Sequence, residues 1–170
     1  MQDDAYKELI QIAREKSVEI LYIEKGDTII DGQLEMVCLH PYKKFISESA
    51  NAYSTVLSVK YGEYSFLLTG DLEKEGENCV IQEGLQEYDI LKVAHHGSKY
   101  STTEEFLNAI NPQYAILSYG HENRYGHPHK ELLSRLEKKN IELYQTEEHG
   151  AITITTDGKI MDIKTFLQEK

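Results

Sequence analysis

Apolar and polar positions recur along this chain with two different periods, and the switch between them marks its elements. The opening stretch AYKELIQIAREK places Tyr6, Leu9, Ile10 and Ala13 at helical spacing, which predicts an amphipathic helix. VEILYI, from Val18 to Ile23, reads as a short strand. TIIDGQLEMVCL reads as a hairpin turning at Asp31-Gly32. STVLSVKYGEYSFLLTGD reads as a second hairpin, with strands from Val56 to Tyr61 and from Tyr64 to Thr69 around Gly62-Glu63. A helical pattern follows Asp71 and runs to about Glu83. DILKVA and YAILSYG are continuous apolar runs of the kind that form buried strands. Between them TTEEFLNAI predicts a short helix capped by Thr102 or Thr103. PHKELLSRLEKKN puts Leu132, Leu133 and Leu136 on one helical face and stops near Asn140. IELYQT and AITITT-DG-KIMDI close the chain as strands. Strand and helix alternate in the second half, with hairpins before and after. That order implies an α/β layered fold with a mixed sheet and helices on at least one face. No repeat, low-complexity tract or linker interrupts it, so one domain spanning 1–170 is expected.

Composition narrows the function classes. The 170 residues are 40% hydrophobic and 28% charged, in keeping with a globular chain that can bury a core. No apolar run approaches the roughly 18 residues of a membrane span. Met1-Gln2-Asp3-Asp4 lacks the basic start and apolar stretch of a signal peptide. Cys38 and Cys79 form no paired motif and read as reduced thiols. The net charge of −11 argues against tight nucleic-acid binding by a basic face. Acidic runs such as Glu73-Lys74-Glu75-Gly76-Glu77 read mostly as solvated surface.

Four stretches carry candidate chemistry: SANAYST (49–55), LLTGD (67–71), KVAHHGS (92–98) and SYGHENRYGHPH (118–129). Three of them follow one design, a buried strand that stops sharply at polar residues. In α/β sheets ligands sit beyond the carboxyl ends of strands, where side chains from separate strands converge. Asp71 reads either as the cap of the following helix or as a metal ligand. His95 and His96 divide naturally into one ligand and one residue that supports it or contacts substrate. Ser98 and Ser101 offer hydroxyls to a phosphate oxygen. His127, held between Gly126 and Pro128, suits a proton donor to a leaving group or a phosphate contact. His129 reads as a surface or capping residue, His121 is intermediate, and His40 and His149 are assigned no role.

NAYSTVLSVKYGEYSFLLTGD, LKVAHHGSKYST, NPQYAILSYGHENRYGHPH and TEEHGAITITTDG together resemble the metallo-β-lactamase-fold domain of ComEC-type competence proteins, from about Val18 to about Ile163. HHGS after LKV, with N-x-YGHP downstream, is the specific part of the match. The resemblance implies an αββα sandwich, a site for two divalent ions (zinc or manganese), and hydrolysis of phosphodiesters in DNA. It also implies a soluble domain of a bacterial inner-membrane protein. Carried over by motif, Asp71 resembles the bridging aspartate. His95 or His96 resembles the histidine that follows it. We assign Asp71 and His95 to the metal, His96 and His127 to catalysis, and Ser98, Ser101 and Asn51 to substrate. Asn51 and Ser54 lie where other branches of the superfamily place a ligating histidine. One departure is plain: no His-x-His-x-Asp-His motif occurs, and the first histidine, His40, stands alone. The sandwich is therefore expected to be incomplete at its N-terminus, and the chain by itself inactive and metal-free. Pairing with the absent N-terminal part of the domain, or with a second copy, is expected to cover exposed sheet. Two other readings are a hydrolase of small esters such as phosphorylcholine esters, and a scaffold that kept the fold without the metals.

Overall fold

The computed structural model describes residues 4–167. The reading of the first three residues as no part of a signal peptide lies outside them. Helix α1 (Asp4–Glu15) leads into two hairpins, β1 (Thr28–Asp31) with β2 (Leu34–His40) and β3 (Val56–Tyr61) with β4 (Tyr64–Leu68). Three parallel units follow: α2 (Lys74–Gln82) and β5 (Ile90–Lys92), α3 (Glu104–Ile110) and β6 (Tyr114–Leu117), α4 (Lys130–Lys138) and β7 (Glu142–Gln145). A short α5 (Thr146–His149) precedes the hairpin β8 (Ile152–Thr156) and β9 (Met161–Thr165).

Strands β1 to β7 form one seven-stranded sheet in sequence order, antiparallel as far as β4 and parallel from β4 to β7. Two-residue turns join β1 to β2 and β3 to β4 as antiparallel hairpins, while each parallel neighbour from β4 onward is reached through a helix. Hairpin β8–β9 is a separate two-stranded sheet. The architecture is α/β, with the mixed sheet and helical layer that the patterning implies.

Period-2 alternation sorts the strand residues between two faces. On one face Val56, Leu67, Leu91, Ala115 and Leu117 pack against Phe106 and Ile110 of α3 and Leu132 and Leu136 of α4. On the other, Val59, Tyr61, Phe66 and Leu68 line an apolar groove of about 530 Å³ with Ile154 of β8. The hairpin β8–β9 is joined to the sheet where two turns meet. The Glu63 amide donates to the Gly158 carbonyl at 2.7 Å, and a Cβ on Gly62 would lie 2.4 Å from Gly158 Cα. Only a residue without a side chain permits that approach.

Two local expectations change. Val18–Ile23 forms no strand: every residue in it is exposed, and no neighbouring strand pairs with it. β-Propensity describes fit to a pleated, half-buried surface, and this segment has none beside it. The first hairpin turns one residue later than expected, at Gly32-Gln33, because Asp31 itself pairs with Leu34. Both cysteines are free thiols, and burial raises the pKa of each. No helix among the described residues is long and apolar enough to cross a membrane.

Candidate active site

Because β4, β5 and β6 are parallel, their carboxyl ends lie on one sheet edge, and the segments that leave them are Thr69-Gly70-Asp71, the turn Ala94–Gly97 and the loop after Leu117. Backbone bonds tie the first two together. The His95 amide donates to the Gly70 carbonyl at 3.1 Å, and Thr69 Oγ1 donates to the Lys92 carbonyl at 2.6 Å. Ser54 Oγ accepts from the Asp71 amide at 3.1 Å, so the SANAYST stretch reaches the same edge.

The two histidines do not alternate as strand residues would. Both have left-handed backbone, with φ of 48° at His95 and 51° at His96. Such consecutive non-glycine residues are strained and persist only where their surroundings hold them. Gly97 shows what holds them. It also has positive φ, a Cβ there would lie 2.7 Å from Pro128 Cβ, and its carbonyl accepts from the His129 amide at 2.9 Å. The HHGS turn and the GHPH loop are thus locked together through this glycine.

The turn sends the imidazoles to different partners. His96 Nδ1 donates to the Ser118 carbonyl at 2.7 Å, which leaves the Nε2 lone pair 3.9 Å from Asp71 Oδ1. His95 Nδ1 lies 3.2 Å from Glu73 Oε1 and 3.4 Å from Asn51 Nδ2, and Asn51 Nδ2 donates to the same Glu73 oxygen at 3.2 Å. His96 rather than His95 is therefore the imidazole nearest Asp71. In His96 the Nδ1 proton is anchored and Nε2 is bare, the tautomer that ligation or base chemistry requires.

His127 closes the cluster. Its ring meets His95 edge-on at 5.5 Å between centroids and His129 at 4.8 Å. Asn123 staples its loop, accepting from the His127 amide at 3.0 Å and donating to its carbonyl at 2.6 Å. Burial first, then the neighbouring imidazoles, hold the His127 pKa below the ordinary histidine value, against the opposing pull of Asp71. A neutral His127 is a hydrogen-bond partner or proton acceptor in the first instance, and a proton donor only after it has been charged. Burial likewise lowers the Lys92 pKa, with Asp71 acting to raise it.

Ser98 and Ser101 are buried. Ser98 Oγ accepts from the Tyr100 amide, and Ser101 Oγ donates to the Ala94 and Ser98 carbonyls, so both hydroxyls brace the loop. Asn51 supports the Glu73–His95 pair. His121 lies apart, exposed and paired with Glu147, while His40 and His149 are buried.

The acidic run after Asp71 is not simply a solvated face. Glu73 anchors His95, and Glu77 is fully buried, accepting from the Thr102 and Thr103 amides and from Thr103 Oγ1. Burial raises the Glu77 pKa, and these bonds partly offset it. Charge alternation hid both residues. The signal available was position: Glu73 lies two residues after Asp71, on the segment leaving the same strand.

Do these residues fit two divalent ions? The Asp71–His96 gap of 3.9 Å lies within the reach of two bonds of about 2.1 Å to one shared cation. In kind, the donors suit zinc or manganese. In number they do not make a two-ion centre: among the described residues no group of three His, Cys, Asp or Glu is placed to hold a metal.

Residues 47–121 match the metallo-beta-lactamase superfamily. ComE operon protein 3 of Bacillus subtilis is 40% identical over 147 residues, covering 86% of this chain and 19% of that protein. Competence protein ComA of Neisseria gonorrhoeae is 38% identical over 60% of this chain and 15% of that protein. Recombination protein 2 of Haemophilus influenzae is 35% identical over 64% of this chain and 14% of that protein. The chain therefore spans less than a fifth of the length of these relatives.

Proposed function

We propose, from the premise that this chain belongs with the metallo-β-lactamase-fold domains of ComEC-type competence proteins, that it is part of a hydrolase acting on phosphodiesters of DNA during DNA uptake. The observation that carries the reading is the Asp71–His96 pair at the sheet edge, with His96 fixed in its Nε2-bare tautomer by Ser118. An adventitious polar pair would not need two strained residues and a glycine lock to be assembled.

Each residue has a task of its own. Asp71 places a carboxylate where β4 ends, and Ser54 fixes its backbone. Glu73 and Asn51 orient His95. His127, neutral and part-buried, offers a hydrogen bond to the leaving oxygen. The two-ion dependence that the family implies needs donors beyond the carboxylate and imidazole gathered here, and in the longer protein another segment supplies them. By itself the chain is then a poor catalyst. The full-length protein is membrane-associated, and this domain is its soluble, DNA-directed part.

The test is cleavage of an end-labelled oligonucleotide, with manganese or zinc present. The enzyme is a longer polypeptide in which a segment carrying a His-x-His-x-Asp-His motif precedes this chain. Cleavage should appear there, and Asp71→Ala or His96→Ala should lower it at least about a hundredfold. Undiminished cleavage by Asp71→Ala would remove the reading. Binding of DNA without any cleavage would favour a scaffold that kept the fold and not the chemistry.

A further inference from the structure

A chain of net charge −11 offers a polyanion little overall attraction, so a strand reaching the Asp71–His96 edge needs local contacts to hold it. Beside that edge lies a row of rings. Tyr125 is 62% exposed, its ring stacked on His127 at 5.8 Å between centroids and 27° between planes. The Arg124 guanidinium sits 4.8 Å from the centre of the Tyr125 ring. Tyr100 is 63% exposed and carries Lys99 Nζ 5.2 Å from its centre. The two halves are joined: the Lys99 amide donates to His129 Nδ1 at 3.1 Å, and the His129 ring meets His127. His127 in turn meets His95, so the row is continuous with the site.

Large rings left in water cost apolar burial that the fold could have taken. Each of these two also has a cation at its face. A flat ring with a cation beside it is what unpaired bases and their phosphates recognise: the base stacks on the ring, and the cation pairs with the neighbouring phosphate. We infer that Tyr100 and Tyr125, with Lys99 and Arg124, form a stacking strip that holds unpaired bases of a single strand alongside the site. The inference rests on the phosphodiester reading above and adds the form of nucleic acid and the residues that select it. A duplex cannot use the strip, because its bases are already stacked on one another.

The experiment measures binding, not cleavage. Fluorescence anisotropy in the presence of a chelator compares three labelled ligands on this chain: an oligothymidylate of about 12 nucleotides, its duplex, and an abasic sugar–phosphate strand of equal length. The oligothymidylate should bind at least about tenfold more tightly than either of the others. Tyr125→Ala should lose about tenfold and Tyr100→Ala a similar factor, while Tyr125→Phe should stay within about twofold of wild type. Equal binding of the abasic strand, indifference to both alanine variants, or no binding at all would overturn the inference. The two readings fail separately. Tyrosine-dependent binding without cleavage in the longer polypeptide rejects the hydrolase and keeps the strip. Cleavage by that polypeptide, combined with tyrosine-independent binding, does the reverse.

Discussion

His40 and His96 are both imidazoles near strand ends, and their surroundings give them opposite roles. His40 is buried, donates from Nε2 to the Ala52 carbonyl at 2.6 Å, and packs edge-on against Phe45 at 4.6 Å. Burial lowers its pKa below the usual histidine value. The unfolded chain therefore takes up a proton at a pH where the folded chain resists it. Stability from this residue is full above the unfolded value and is lost as pH falls toward the folded one. Urea midpoints of the wild type should drop between about pH 7 and 5 relative to His40→Gln, which cannot titrate. A constant difference over that range would show that His40 is not buried neutral. His96, by contrast, is half exposed with a bare Nε2 facing a carboxylate. The sequence made both histidines visible as residues. It could not rank them, because His40 stands alone beside Pro41, and what buries it is the packing of Phe45 and Ala52.

At the scale of elements, α2 does more than cover the sheet. Glu77 caps the start of α3 from a neighbouring helix, through the Thr102 and Thr103 amides, while Thr103 Oγ1 also accepts from the Phe106 amide. Thr102 Oγ1 accepts from the Ala94 amide, so the same junction steadies the turn that carries His95 and His96. Glu77→Ala would leave buried amides without acceptors and should cost about 3 kcal/mol of unfolding free energy. A loss under about 1 kcal/mol in a chemical denaturation experiment would mean that water replaces the carboxylate. The hairpins were legible because alternation and turn residues are local properties. The helix over 104–110 was legible for the same reason, with Thr103 as its cap. Which imidazole meets Asp71 was not legible. That depends on two left-handed residues held by Gly97 against Pro128, a contact between segments about thirty residues apart. Val18–Ile23 misled for a related reason: strand propensity needs a partner, and the seven-stranded order has no place for it.

For the molecule as a whole, topology explains why chemistry collects at one edge. The change from antiparallel to parallel pairing at β4 aligns the ends of β4, β5 and β6, and the polar stops of three sequence stretches become neighbours. Against the acidic charge of the chain, Lys92 lies close enough to Asp71 to be affected by it, and Lys99 and Arg124 sit beside the rings of Tyr100 and Tyr125. The layered class could be read from the order of apolar runs, but the groove between the sheet and β8–β9 could not, because its Val59, Phe66 and Leu68 read simply as strand interior. The most direct test of the central claim, that Asp71 and His96 form one cation-ready point at the sheet edge, is a manganese titration of the longer polypeptide described above, followed by paramagnetic broadening of amide NMR signals. The account predicts that signals around Asp71, His95, His96 and Ser118 broaden first, and that Asp71→Asn abolishes this selectivity. Broadening centred elsewhere, for example on the exposed acidic residues, or an unchanged pattern in Asp71→Asn, would contradict it.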